Sequence, residues 1–285
     1  MNNIPLLPRT ILGCDADYDS AETVVFGAPF DGTATYRPGS RFAPAAIRTE
    51  SIGLETYSPY QDLDMPEDKI CDMGDLDLPF GNTGSALKII RNTAEAILKS
   101  GKKPVMIGGE HLVSLPAIEA ALSLYPGLHI IHFDAHADLR EEYIGEQLSH
   151  SSVMRRVYDL TGNNRIHQYG IRSGTKEEFL FAKKHTIFHP FDLNSIEDAV
   201  TVLKNKKVYL TIDLDILDTG VFPGTGTPEA GGVSFMELIK ALIALKPLQI
   251  VGADIVELAP NYDTSGCSTA VACKVLRELL LCMSV

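Results

Sequence analysis

The sequence predicts an α/β fold in three layers, α/β/α, with a mostly parallel central sheet. Three observations carry this expectation. Short β-rich runs alternate along the chain with segments of helical period, the order expected of βαβ units. The runs at 128–133 and 208–214 are apolar without clean polar alternation, as befits strands covered on both faces. Both runs end in acidic residues, and open α/β sheets gather their sites beyond the carboxyl ends of strands.

The elements follow in order. A strand over 23–30 precedes a helix near 43–55. The stretch 85–100, SALKIIRNTAEAILKS, carries apolar residues at helical spacing and is closed by Gly101. A strand over 104–107 leads into Gly108-Gly109-Glu110-His111 and a helix near 115–124. The first acid-tipped strand comes next, then a helix near 152–160, a strand over 165–171 and a helix over 176–184. A short strand at 186–189 and a helix over 195–204 lead to the second acid-tipped strand. A helix over 235–245, a strand over 249–258 and a long helix over 269–283 complete the pattern. No internal repeat, low-complexity tract or long linker interrupts it, so residues 1–285 read as one domain.

Bulk properties narrow the function classes. A formal net charge of −12 argues against nucleic acid or an anionic membrane as partner, since both require basic patches. It is compatible with a cationic substrate. No apolar stretch reaches the ~18 residues of a membrane span. The N-terminus, MNNIPLLPRTILGCDADYDS, lacks the basic start and apolar core of a signal peptide. The five cysteines are scattered and odd in number, which reads as reduced thiols in a cytoplasmic protein.

The chemistry concentrates in LHIIHFDAHAD at 128–138. If that run stayed extended throughout, Asp134, His136 and Asp138 would share one face, being two residues apart. Asp213 and Asp215 repeat the spacing at the end of the second run. A single Asp-x-Asp is more often a solvated loop or a helix cap. Two of them at the ends of two apolar strands form a set of carboxylates that would repel one another at low dielectric. Two divalent cations would cancel four negative charges. His111, after its Gly-Gly, belongs to the same sheet edge. Nitrogen and carboxylate donors without thiolate point to a hard or borderline metal such as manganese, and cobalt, nickel or zinc fit the same donors.

The motifs GGEH (108–111), DAHAD (134–138), DLD (213–215), PGTGTPEAGG (223–232) and DIVELAP (254–260) resemble the arginase/agmatinase (ureohydrolase) family. The early stretch GAPFDGTATYRPGSRFAPAAIR (27–48) is most similar to its agmatinase branch. The matches stand in family order from about residue 25 to about residue 272. The resemblance implies an arginase-like fold and two Mn2+ ions sharing a hydroxide. One ion would take His111, Asp134, Asp138 and Asp213, the other Asp134, His136, Asp213 and Asp215. It further implies that Glu257 grips a guanidinium and that His150 passes a proton to the leaving amine. The chain departs from the family around that histidine, with Ser151 and Ser152 where glycine and threonine are usual. Thr225, Thr227 and Ser151 are candidates for substrate or supporting contacts. A homo-oligomer, trimer or hexamer, is expected by the same resemblance.

The physical requirement agrees with this assignment. An arginine-like guanidinium is resonance-stabilised, with a pKa near about 13.8, and is a poor electrophile. Paired cations that acidify water supply the nucleophile such a group needs. The loop 139–149 lacks the Ser/Asn-rich pattern with which arginases grip an amino-acid head. It carries Glu141, Glu142 and Glu146 instead, an acidic rim suited to a second ammonium. The expected reaction is therefore hydrolysis of a small cationic guanidino substrate, agmatine giving putrescine and urea. Arginine and 4-guanidinobutyrate are the alternative substrates, and a metal-binding relative without turnover is a further alternative. A two-metal phosphoesterase is disfavoured, because Glu257 would repel a phosphate.

Overall fold

The computed structural model describes residues 10–79 and 81–284. In chain order the elements are β1 (Thr23–Ala28), α1 (Ala43–Ser51), β2 (Tyr57–Ser58), β3 (Leu63–Asp64), β4 (Ile70–Asp75), α2 (Thr83–Lys99) and β5 (Lys103–Gly108). They continue with α3 (Ser114–Leu124), β6 (His129–Phe133), α4 (Val153–Thr161), β7 (Ile166–Tyr169), α5 (Lys176–His185) and β8 (Ile187–His189). The remainder is α6 (Ile196–Leu203), β9 (Lys207–Asp213), α7 (Phe235–Ala244), β10 (Gln249–Val256) and α8 (Cys267–Met283).

Among the described residues, eight strands form one sheet in the order β4-β1-β5-β10-β9-β6-β7-β8. Every pairing within it is parallel. The chain leaves β5, crosses over through α3 to β6, and only later fills the gap with β9 and β10. Four strands that carry chemistry at their ends, β5, β10, β9 and β6, thereby become neighbours.

Alternate strand residues enter two separate cores. Val25, Val105, Ile131, Leu210 and Ile255 pack with α1, α6, α7 and α8. Val24, Met106, Ile130 and Tyr209 pack with α2, α3 and α4. The period of two along each strand thus builds the expected three layers. Burying each large aliphatic side chain contributes about 1.5–3 kcal/mol, enough to hold strand ends rigid beneath a polar site.

Local signals account for the boundaries. Asn82 starts α2 by accepting from the Ser85 amide at 2.9 Å. Capping boxes start α5 (Thr175 with Glu178) and α7 (Ser234 with Glu237). The strand expected over 249–258 stops at Val256, because Glu257 takes φ 67°. The strand expected over 165–171 stops at Tyr169, before Gly170 at φ 82°. The edge strand β4 was not anticipated. Its sequence ICDMGD is acidic and contains glycine, as protected edges often are. Its Asp72 and Asp75 are held by Arg48 of α1.

Candidate active site

The site grows from a register row across the four central strands. Phe133 pairs with Ile212, Ile212 with Ile255, and Ile255 with Ile107. Beyond this apolar row the chains turn polar together: Asp134 after Phe133, Asp213 after Ile212, Glu257 two residues past Ile255, and His111 four past Ile107.

The extended run expected through Asp138 is corrected. β6 ends at Phe133, and Asp134, His136 and Asp138 stand in the loop beyond it, with Asp138 at φ 53°. Backbone bonds from Arg172 N to Ala135 O (2.8 Å) and from Ala137 N to Ser173 O (3.0 Å) hold that loop against the segment after β7. Convergence of the three side chains is therefore the work of a turn and not of strand alternation. Asp213 closes β9, and its Oδ1 accepts from the Asp215 amide at 2.9 Å, opening a short 3-10 turn.

His111 is fully enclosed. Its Nδ1 lies 3.0 Å from Asp134 Oδ2, 3.2 Å from Asp138 Oδ2 and 3.3 Å from Asp213 Oδ2, yet it makes no hydrogen bond. His136 Nδ1 lies 3.0 Å from Asp215 Oδ2, another buried atom without a hydrogen-bond partner, and 3.6 Å from Asp134 Oδ1. All six expected ligands come together around Asp134 and Asp213.

A polar layer one register step lower supports them. His132, Thr211 and Asp254 are register neighbours on β6, β9 and β10. His132 Nε2 meets Asp134 Oδ2 at 2.8 Å. Gln168 Nε2 lies 2.9 Å from Ala137 O, which can only accept, so this atom is the amide nitrogen. It donates its other hydrogen to His132 Nδ1 at 3.1 Å, which leaves the hydrogen of His132 on Nε2. Although His132 belongs to the same group of potential ligands, it thus supports Asp134 as a donor. On the other side, His111 Nε2 meets Thr211 Oγ1 at 2.9 Å, and Thr211 meets Asp254 Oδ1 at 2.6 Å. Tyr209 donates to Asp254 Oδ2 at 2.8 Å.

Sequence reading passed over His132, Gln168 and Thr211. A usable signal is present for His132 and Thr211, since each is a polar residue two places before an aspartate in an otherwise apolar run. Gln168 had none, because its role depends on the β6–β7 register.

Glu257 ties β10 to β5. Its amide donates to Gly109 O at 2.9 Å, and its Oε1 accepts from the His111 amide at 2.7 Å. A cavity of about 350 Å³ opens above these groups, lined by His111, His136, Asp138, Asp213, Glu257 and His150. Thr227 and Ser151 also face it. Thr225 is buried outside the cavity lining, its hydroxyl without a hydrogen-bond partner. The acidic rim needs correction: Glu141, Glu142 and Glu146 do not line this cavity. Glu141 reaches toward Arg155 at 4.0 Å. The wall on that side is Arg140 and Tyr143, the guanidinium 4.7 Å above the ring, with hydroxyls from Ser173 and Thr175.

Charge in the cluster is strongly perturbed. Burial pushes Asp213 and Glu257 well above the carboxylate range, reinforced by neighbouring Asp215 and Glu110 respectively. Burial and Asp134 push Asp138 up to about 7. Burial alone would lower His111 and His136, but their aspartate neighbours outweigh it and hold both imidazoles well above their usual range. The cluster draws positive charge toward the two Nδ1 atoms. Bringing each carboxylate out of water costs several kcal/mol, and a divalent cation among them offsets that more fully than a proton. Two imidazole nitrogens, four aspartates and orphaned buried atoms of both kinds fit a hard or borderline cation pair.

The comparisons agree with this geometry. The model of the arginase family matches residues 21–282. An agmatinase of Bacillus anthracis is 48% identical over 268 residues, covering 93% of this chain and 92% of that protein. A solved chain from Clostridium difficile superposes with a TM-score of 0.92 at 51% identity, covering 94% of this chain and 99% of that one. The agmatine ureohydrolase of Thermoplasma volcanium gives a TM-score of 0.87 at 31% identity, covering 98% and 95%.

Proposed function

Because this chain belongs to the arginase family, a ureohydrolase acting on guanidino C–N bonds, we propose that it hydrolyses agmatine to putrescine and urea. The observation that carries the reading is the bare Nδ1 of His111 facing three aspartate oxygens within 3.3 Å, with Glu257 in the same cavity. Agmatinase relatives of high identity support the substrate.

His111, Asp134, Asp138 and Asp213 would hold one manganese ion, and Asp134, His136, Asp213 and Asp215 a second. Such a pair would neutralise the acids and make water nucleophilic at neutral pH. Glu257 receives the guanidinium. One of its oxygens is engaged with the His111 amide, so the other is left for a charge-assisted bond to the substrate. His150 carries a proton to the leaving amine. Burial lowers its pKa against the hydrogen bond to the Thr33 backbone, and His136, His111 and Arg140 act with burial, so the neutral ring can take up a proton and release it readily. The C–N bond to the alkyl nitrogen breaks, the water oxygen becomes the urea oxygen, and both water protons end on the leaving nitrogen, which departs as the second ammonium of putrescine. The mouth near Ser173, Thr175 and the Glu178 carboxylate accommodates the distal ammonium, with Thr227 and Ser151 contacting the substrate body.

The family relationship also supports a cytoplasmic homo-oligomer, trimer or hexamer, of single-domain chains. Among the described residues no helix is long and apolar enough to cross a membrane. Urea release from agmatine, arginine and 4-guanidinobutyrate, measured in parallel on manganese-loaded protein, tests the proposal. Agmatine should be turned over with the highest kcat/KM. A preference for either carboxylated compound would overturn the substrate.

A further inference from the structure

The stretch DGTATYRPGSR after β1 resembles the agmatinase branch and supplies none of the candidate metal ligands. Its loop is pinned by Asp31, which accepts from the Gly39 amide at 2.7 Å and holds the side chain of Arg41. This brings Thr33 against two segments distant in sequence.

Thr33 is joined to Glu110, the residue before His111. Its amide donates to Glu110 Oε2 at 3.0 Å and its hydroxyl donates to Oε1 at 2.7 Å. It is also joined to His150 twice. The His150 amide donates to Thr33 Oγ1 at 3.1 Å, and His150 Nδ1 lies 3.0 Å from Thr33 O. A carbonyl oxygen only accepts, so Nδ1 must carry its hydrogen. Nε2 is then the basic nitrogen of the neutral ring. The hydroxyl of Thr33 gives its single hydrogen to Glu110 and offers a lone pair to the His150 amide. A hydroxyl can perform both tasks at once, whereas an isosteric methyl can perform neither.

We propose that Thr33 is a positioning residue for His150: its carbonyl sets the imidazole tautomer, and its hydroxyl locks that carbonyl in place by bridging Glu110 and the His150 amide. The inference rests on the reading of His150 as the proton carrier. Thr33 needs no contact with substrate, so its loss should act on turnover and spare binding. Displacing a reacting group by about 1 Å can cost about 100-fold in rate.

The test compares Thr33→Val, Thr33→Ala, Thr33→Ser and His150→Asn in the manganese-loaded full chain with agmatine, together with a crystal structure of the Val or Ala variant. Val and Ala should lower kcat between about 10- and 100-fold with KM within about twofold, and Ser should restore most of the rate. The crystal structure should show the His150 ring turned away from residue 33. The proposal is overturned by unchanged kcat in folded Val and Ala variants, by a rise in KM alone, by failure of Ser to rescue, or by a ring that has not moved. Should His150→Asn retain full kcat, the proton-carrier reading fails. The ring position then decides separately whether Thr33 orients the histidine.

Discussion

The Nε2 of His111 stands 2.9 Å from the hydroxyl of Thr211, and that hydroxyl stands 2.6 Å from Asp254 Oδ1. The chain of bonds runs from the ring into the sheet: Nε2–H to Thr211, Thr211 O–H to Asp254. In the neutral ring, the form that can bind a cation, it leaves Nδ1 as the lone-pair nitrogen pointing at the aspartates. Thr211→Val keeps the shape and removes the relay. Metal affinity should fall about 10- to 100-fold with little change in folding, as read by competition with a chelating dye. Unchanged affinity would mean that something else sets the tautomer.

Gly109 is demanded by backbone proximity. A Cβ there would stand 2.0 Å from Phe30 O and 2.7 Å from Phe30 C, and neither atom can swing aside. Gly109→Ala should destabilise the protein by about 1–3 kcal/mol or more and displace both His111 and Glu257. Gly84, in the first turn of α2, offers a contrast, since its Cβ would meet nothing nearer than 3.8 Å. Gly84→Ala should leave the unfolding midpoint unchanged or slightly higher. Thermal unfolding of the two variants side by side checks both expectations.

Glu257→Gln retains an acceptor for the His111 amide and removes the charge proposed to receive the guanidinium. Hydrogen bonds to charged groups are worth about 1.5–3 kcal/mol, so kcat/KM for agmatine should fall roughly 10- to 150-fold. The unfolding midpoint should barely move. Equal kcat/KM in the variant would remove Glu257 from substrate recognition.

Stability should depend on pH through a pair far from the site. His129 Nδ1 and His167 Nε2 are 3.2 Å apart at the starts of β6 and β7. Burial, with Arg165 and Lys206 adding to it for His129 and with His129 and His189 adding to it for His167, lowers both to about 4. Between pH 6.5 and 4 the unfolded chain binds more protons at this pair than the folded one, so the pair's contribution to stability rises with pH across that window and is lost on acidification. In chelator-treated protein the raised acids Asp138, Asp213 and Glu257 act in the opposite sense, so the pair is read by difference: from pH 6.5 to 4 the wild-type denaturant midpoint should change less favourably than that of His167→Gln. Parallel slopes in the two proteins would contradict this assignment.

Much of the fold was legible because its signals are local. The caps of α5 and α7 stand in the sequence as Thr175-x-x-Glu178 and Ser234-x-x-Glu237, and the central strands are apolar on both faces. The clustering of the six candidate ligands was legible because carboxylates at the ends of buried strands need a reason to be there. What escaped depends on long-range register. β4 is held by β1 and by a bridge from Cys71 to Asp15, so its own composition carried little sign of it. Gln168 reaches His132 only because β7 lies beside β6. The acidic loop misled, because charge in a sequence does not tell which way a side chain turns, and Glu141 turns toward Arg155.

The central claim is that these buried acids tolerate one another because divalent cations lie among them. Titrating metal-free protein with Mn2+ in a calorimeter, beside Asp134→Asn and Asp213→Asn, tests it most directly. Two ions per wild-type chain are expected, with marked loss of binding in each variant. Absence of binding by folded wild-type protein, or isotherms in the variants that match it, would contradict the account.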